Sequence, residues 1–208
     1  MTFLLHLCFS LENCNLMSHS QGVVTRIYPQ ESEDTPASSS VITWRIVVRI
    51  IQKFEDTLKS LNISRNTGVK IEDLCEVTRL KLHNLNITGC SSVSNEGFQS
   101  FIQIQNELTV LKVDNCRKIL AGTKEQTRDV FQYLKNVEVL NISENSVAHL
   151  GAMSALSRLL DLTMDNLDSL GSSITSAMTS LDVSHLVSWR ARGLSMSSQD
   201  LVKIYNQQ

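Results

Sequence analysis

Cys90 and Cys116 are the residues whose type and spacing best suit chemistry. Each stands three residues after the last apolar residue of a short alternating run, in Leu85-Asn-Ile87-Thr-Gly-Cys90 and Leu111-Lys-Val113-Asp-Asn-Cys116. On parallel neighbouring strands, about 4.8 Å apart, the two thiols would lie near each other, as a disulfide or as half of a metal site would need. No third or fourth ligand stands at metal-binding spacing, and Asn66 and Asn145 occupy the equivalent place after Ile63 and Ile142. The favoured reading is that each Asn or Cys bonds the backbone at the bend after its strand.

Other reactive groupings are incomplete. His6, His19, His83, His149 and His185 are scattered, and none forms HExxH or pairs with a ligand four residues away. Gly122-Thr-Lys124 lacks the upstream glycine of a phosphate loop, and Gly193-Leu-Ser195-Met-Ser197 lacks the second glycine of a nucleophile elbow. With no Ser/His/Asp or Cys/His constellation, an enzyme is not expected, nor is a cofactor or a metal. Three N-x-[ST] sequons, at Asn62, Asn86 and Asn141, share one position in a repeated phrase. Internal duplication accounts for them, so they argue only weakly for secretion.

That phrase reads Leu58-Lys-Ser-Leu61-Asn-Ile63-Ser-Arg-Asn66 and returns from Leu82, Leu108 and Val137, closing on Cys90, Cys116 and Asn145. It matches LxxLxLxxN/C, the signature of a leucine-rich repeat, and implies an α/β fold: a solenoid with short parallel strands on the concave face and helices on the convex one. Looser copies begin at Leu159 and Met178, with Leu167 and Leu186 in the Asn/Cys place. The steps are 24, 26, 29, 22 and 19 residues, the last one short for the class.

Helical apolar spacing fills the intervals: Phe98, Phe101, Ile102 and Ile104, then Val130, Phe131 and Leu134. Asn95-Glu96-Gly97 and Thr127-Arg128-Asp129 read as helix starts. Residues 42–54 predict an amphipathic helix with Ile46, Val47, Ile50, Ile51 and Phe54 on its apolar side. The polar run Glu31–Ser40 reads as a loop or linker. The expected organisation is therefore a cap or flexible segment over residues 1–40 and a repeat domain over 41–208, its last two repeats degenerate. Ser198–Tyr205 reads as a final short helix.

Composition narrows the partners. Nineteen Lys and Arg against 21 Asp and Glu leave no basic face for nucleic acid. No run approaches the roughly 20 apolar residues of a membrane span. Phe3–Leu11 resembles a short signal-peptide core but has no basic residue ahead of it and no small-x-small site before Asn15. The five cysteines, an odd number with none in the 92 residues after Cys116, do not suggest a disulfide framework. A cytoplasmic or nuclear location is expected.

Outward strand positions predict the binding surface. One row runs Asn62, Asn86, Lys112, Asn141, Thr163 and Asp182; the next runs Ser64, Thr88, Asp114, Ser143, Asp165 and Ser184. The acidic C-terminal part, with Asp114, Asp165 and Asp182, suggests a basic or hydrogen-bonding segment of a protein partner.

Leu-Asn-Ile-Thr-Gly-Cys90-Ser-Ser-Val-Ser-Asn-Glu-Gly97 resembles the cysteine-containing repeats of F-box/leucine-rich-repeat proteins, and Leu111-Lys-Val113-Asp-Asn-Cys116-Arg-Lys-Ile119 matches the first half of that pattern. The shorter Val139-Leu-Asn-Ile-Ser-Glu-Asn145 is similar to the leucine-rich half of zygote-defective/Zer-type cullin-2 adaptors. Both resemblances imply substrate recruitment to a cullin–RING ubiquitin ligase, with ligase subunits as further partners and no chemistry of the chain's own. The residues ahead of and behind the repeats do not read as an F-box or an armadillo half, so the ligase connection is expected from the resemblance alone. The alternative is an extracellular or receptor-type recognition domain, which glycosylation at Asn86 or an oxidised Cys90 would favour.

Overall fold

The computed structural model describes residues 7–10, 25–26, 44–66, 68–121, 123–147, 153–167, 185–193, 199 and 202. In chain order these form β1 (Leu7–Ser10), β2 (Thr25–Arg26), α1 (Trp44–Lys53), β3 (Leu58–Asn62) and a 3₁₀ helix (Ile71–Glu76). Next come β4 (Asn84–Asn86), α2 (Asn95–Gln103), β5 (Val110–Lys112), α3 (Lys124–Tyr133) and β6 (Val139–Asn141). A second 3₁₀ helix (Met153–Ala155), β7 (Asp161–Thr163) and β8 (Ser188–Arg190) complete the order.

Every strand pairing is parallel, and the sheet order is β2-β1-β3-β4-β5-β6-β7-β8. From β3 onward, neighbours in the sheet are neighbours in sequence, so the chain is an α/β protein with a parallel sheet flanked by helices. The repeated leucine sets the register: Leu61, Leu85, Leu111, Leu140, Leu162 and Trp189 stand side by side across six strands. The five leucines are no more than 1% exposed, because a strand turns alternate side chains to one face and here that face meets the helices. Phe98, Phe101 and Ile102 from α2, with Val130 and Phe131 from α3, belong to the same core. Each such side chain contributes about 1.5–3 kcal/mol by burial.

The strands are short because the chain bends after each one through a residue of positive φ. These are Arg65 (60°), Gly89 (71°), Asn115 (51°), Glu144 (57°), Asn166 (51°) and Gly193 (70°). Glycine and asparagine, the residues that enter this region most readily, hold four of the six places.

Three expectations are corrected. The strand beside β7 is Ser188–Arg190, 27 residues after Asp161, and not Leu181–Val183 as the letters of the phrase predict. The sixth phrase thus begins at Leu186, and Leu186, Trp189 and Ala191 pack partly against the core where Leu and Ile stand in earlier phrases. The phrase read from Met178 lies outside the described residues except His185 and Leu186, as does the Ser198–Tyr205 helix except residues 199 and 202. The helix α3 starts one turn earlier than Thr127. Thr123 caps it and forms a capping box with Gln126, which settles the first turn's free N–H groups before the apolar residues begin. In α1 the buried face is Val47, Val48 and Ile51, with Trp44 and Ile50 partly covered. Ile46 and Phe54 stay 46% and 38% exposed, since the spacing 44, 47, 48 and 51 follows one helix face.

No helix among the described residues is long and apolar enough to cross a membrane.

The sixth register has a direct consequence. A Cβ on Gly193 would fall 2.2 Å from Asn166 Oδ1, at a backbone φ of +70°. Gly193→Ala should therefore lower stability by about 1–2 kcal/mol, whereas Glu144→Gly should change it by less than about 1 kcal/mol. Urea denaturation of both variants checks this, and an unchanged midpoint for Gly193→Ala would count against the register.

Candidate functional site

Each strand leaves backbone carbonyls at its bend, and the Asn/Cys position satisfies them. Cys90 Sγ donates to Ile63 O at 3.1 Å and Cys116 Sγ to Ile87 O at 2.9 Å, each reaching back to the preceding unit. Asn145 Nδ2 donates to Val113 O and Ile142 O, both at 2.8 Å, while its Oδ1 accepts from Cys116 N at 2.8 Å. Asn66 Nδ2 bonds Ile63 O at 2.9 Å and Ser64 O at 3.0 Å. Cys90 and Cys116 are buried free thiols, not a disulfide. Burial pushes the Cys90 thiol up to about 11 and the Cys116 thiol up to about 12, so neither is a ready thiolate. Among the described residues, no group of three or more His, Cys, Asp or Glu could hold a metal ion.

The sequon asparagines also serve the backbone. Asn62 Oδ1 accepts from Ser64 N, Asn86 Oδ1 from Thr88 N and Asn141 Oδ1 from Ser143 N, at 3.0–3.1 Å. This is the Asx turn, in which a short amide holds the chain two residues on. The same turn recurs at one position of three phrases.

The outward face carries the two expected rows with changed membership. The pairing brings Asn62, Asn86, Lys112, Asn141 and Thr163 into one line, and Arg190 continues it. Asp182 and Ser184, expected at the end of the rows, lie outside the described residues. Lys112 and Arg190 are exposed, and the other members are half-buried.

The second row is less open than expected. Ser64 and Ser143 are 3% and 7% exposed and belong to the bend, not to a contact surface. Thr88 Oγ1 donates to Asp114 Oδ2 at 2.5 Å, and Ser143 Oγ accepts from Asp165 N at 2.9 Å. Asp165 accepts from Arg192 N at 2.8 Å and pairs with Arg190 Nε at 2.7 Å. Among the described residues, the C-terminal end of the face is therefore not an acidic patch. Arg190 and Arg192 stand beside Asp165, and the latter's charge is already compensated.

Asp114 is under more constraint. Its Oδ1 is buried with no hydrogen-bond partner among the described residues. Burial raises its carboxyl above the usual aspartate range, against the Thr88 hydrogen bond that lowers it.

Among the residues just ahead of each strand core, sequence reasoning missed Lys59, Glu107 and Glu138. Lys59 Nζ and His83 Nε2 meet Glu107 at 3.2 and 3.1 Å, and the Lys59 hydrogen bond leads in holding the Glu107 carboxyl below its usual range. Arg158 pairs with Glu138 at 3.4 Å. The buried Gln105 accepts from Leu82 N at 3.0 Å and donates to Leu80 O at 3.1 Å, joining two units by one amide. Long side chains at 59, 83, 107 and 138, each next to an inward residue of the phrase, were the available signal.

Comparison with known proteins finds no family model that matches the chain and no curated protein that does.

Two measurements test the bend chemistry. Asn145→Ala leaves Val113 O, Ile142 O and Cys116 N without their partner and should cost about 3 kcal/mol. Cys116→Ala, which removes a weak donor, should cost about 1–2 kcal/mol; equal losses in denaturant unfolding would contradict the difference assigned to amide and thiol. For Asp114 the sign follows from a folded-state carboxyl raised above its unfolded value. Its contribution is fully present below the unfolded pKa and is lost as pH rises through the folded one. Asp114→Asn should thus gain melting temperature relative to the parent as pH climbs through the carboxylate range. A difference independent of pH would refute this.

Proposed function

We propose that the chain is a leucine-rich-repeat solenoid acting as a protein–protein interaction module through the outward, concave face of its sheet. One observation carries the reading: each LxxLxLxx phrase supplies one short strand, and successive phrases stand next to one another from β3 to β8. Such an array buries its apolar side in stacked neighbours and leaves one long row of side chains free of internal packing. Extended partners suit a surface of that shape. The face offers amides, hydroxyls and ions but no grouped acid, base and nucleophile among the described residues, so recognition fits it better than catalysis.

Within that reading, the cysteine-ended phrases at Cys90 and Cys116 support a role in presenting substrates to a cullin–RING ubiquitin ligase, by resemblance alone. The thiols themselves serve the bends.

Affinity capture of the full chain from cells, followed by lysine cross-linking and mass spectrometry, tests both levels. Cullin and adaptor subunits should co-purify, and partner cross-links should fall on Lys112 and Lys59 of the sheet face. Cross-links confined to Lys53 in α1 would put the partner on the helical side. Partners recovered without any cullin subunit would remove the ligase role and leave the interaction module.

A further inference from the structure

One corner of the outward face differs from the rest. Val110 of β5 and Val139 of β6 stand side by side and are half-buried. Leu160 and Val187, just ahead of β7 and β8, are 40% and 83% exposed. They are neighbours, since Val187 N donates to Leu160 O at 2.8 Å. Toward β3 and β4 the matching positions are Lys59, Ser60, His83 and Asn84, so the apolar residues belong to the β5–β8 end, where Thr109, Glu138 and Ser188 stand among them. Four adjacent strands span about 14 Å at the usual spacing, the length of roughly four extended residues.

Glu138 and Asp161 are the carboxylates within this strip, and only that of Asp161 lacks a partner among the described residues. Asp161 lies between Val139 and Ser188 in the register. Its carboxylate makes no hydrogen bond or ion pair among the described residues, although its backbone N–H donates to Glu138 O at 2.9 Å. The cations on either side are engaged: Arg158 with Glu138, and Arg190 with Asp165. An apolar partner covering the strip would strip water from an uncompensated charge, at a cost that a partner cation removes.

We propose that this corner binds an extended segment of a partner protein that sets an aliphatic or aromatic side chain on Val110, Val139 and Leu160 and a Lys or Arg on Asp161. The proposal rests on the interaction-module reading and names the chemistry of its ligand. The apolar anchor supplies the burial, and the Asp161 pair fixes which way the segment lies. Engaged ion pairs at Glu138 and Asp165 form the polar rim such an anchor needs.

Selection of a random peptide display library on the immobilised full chain provides the probe, and the enriched peptides are then resynthesised with a fluorophore for anisotropy titration. They should carry Lys or Arg within two residues of a large apolar side chain. Asp161→Lys should weaken them at least tenfold, and peptides with that Lys or Arg changed to Glu should regain affinity for Asp161→Lys. Val139→Lys should abolish binding; circular dichroism and melting curves check that both variants remain folded. Enriched peptides that ignore Asp161→Lys but respond to Asn84→Arg on β4 would overturn this assignment and leave the interaction module standing. Peptides that no outward-face variant affects, or a library with no enriched binder, would overturn both.

Discussion

The structure depends on how the backbone is satisfied at the buried bend after each strand. A strand of three to five residues ends while its last inward side chain is still in the core, so its carbonyls cannot turn to water. Ile63 O is met by Cys90 and Asn66, Ile87 O by Cys116, and Val113 O by Asn145. Three of these four bonds cross from one unit to the preceding one. The polar group that closes a bend therefore also locks the spacing of neighbours, and the leucines can stack only because those bends coincide.

From this follows the division of labour on the outward face. Residues close to the bend, Ser64, Thr88, Asp114, Ser143 and Asp165, are drawn into hydrogen bonds within and between units. Two residues earlier, Asn62, Asn86 and Asn141 are held by their own turns while Lys112 and Arg190 are exposed. The residues ahead of the strand core, Lys59, His83, Glu138, Leu160 and Val187, vary most in character. The variable chemistry thus sits where it disturbs no backbone bond. Surface pairs such as Lys59–Glu107 and Arg158–Glu138 add little stability each, about 0–1 kcal/mol, and act more by removing free charge from the rim.

Much of the arrangement was legible in the residues. Leu61, Leu85, Leu111, Leu140 and Leu162 mark β3 to β7, because an inward apolar residue flanked by polar ones has period two. The role of Cys90 and Cys116 was legible by analogy with Asn66 and Asn145. The sixth strand was not. Trp189 and Ala191 replace Leu and Ile, and Met178-Thr-Ser-Leu181-Asp-Val183 imitates the phrase more closely in letters. Placing Asp182 in the row instead of Arg190 reversed the apparent charge of that end. The start of α3 was missed because the Thr123–Gln126 capping box lies ahead of the apolar run that drew attention.

By itself, then, the sequence determined which residues turn inward and how often the chain repeats, since both follow from short-range spacing along a strand. Only the tertiary structure decided which units are neighbours and what those contacts do to each outward side chain. Arg190 meets Asp165, Ser64 and Ser143 are buried, and Asp161 is left without a cation through pairings across strands. Two residues more than 20 positions apart meet at a distance fixed by the stacking, and local periodicity contains no term for it.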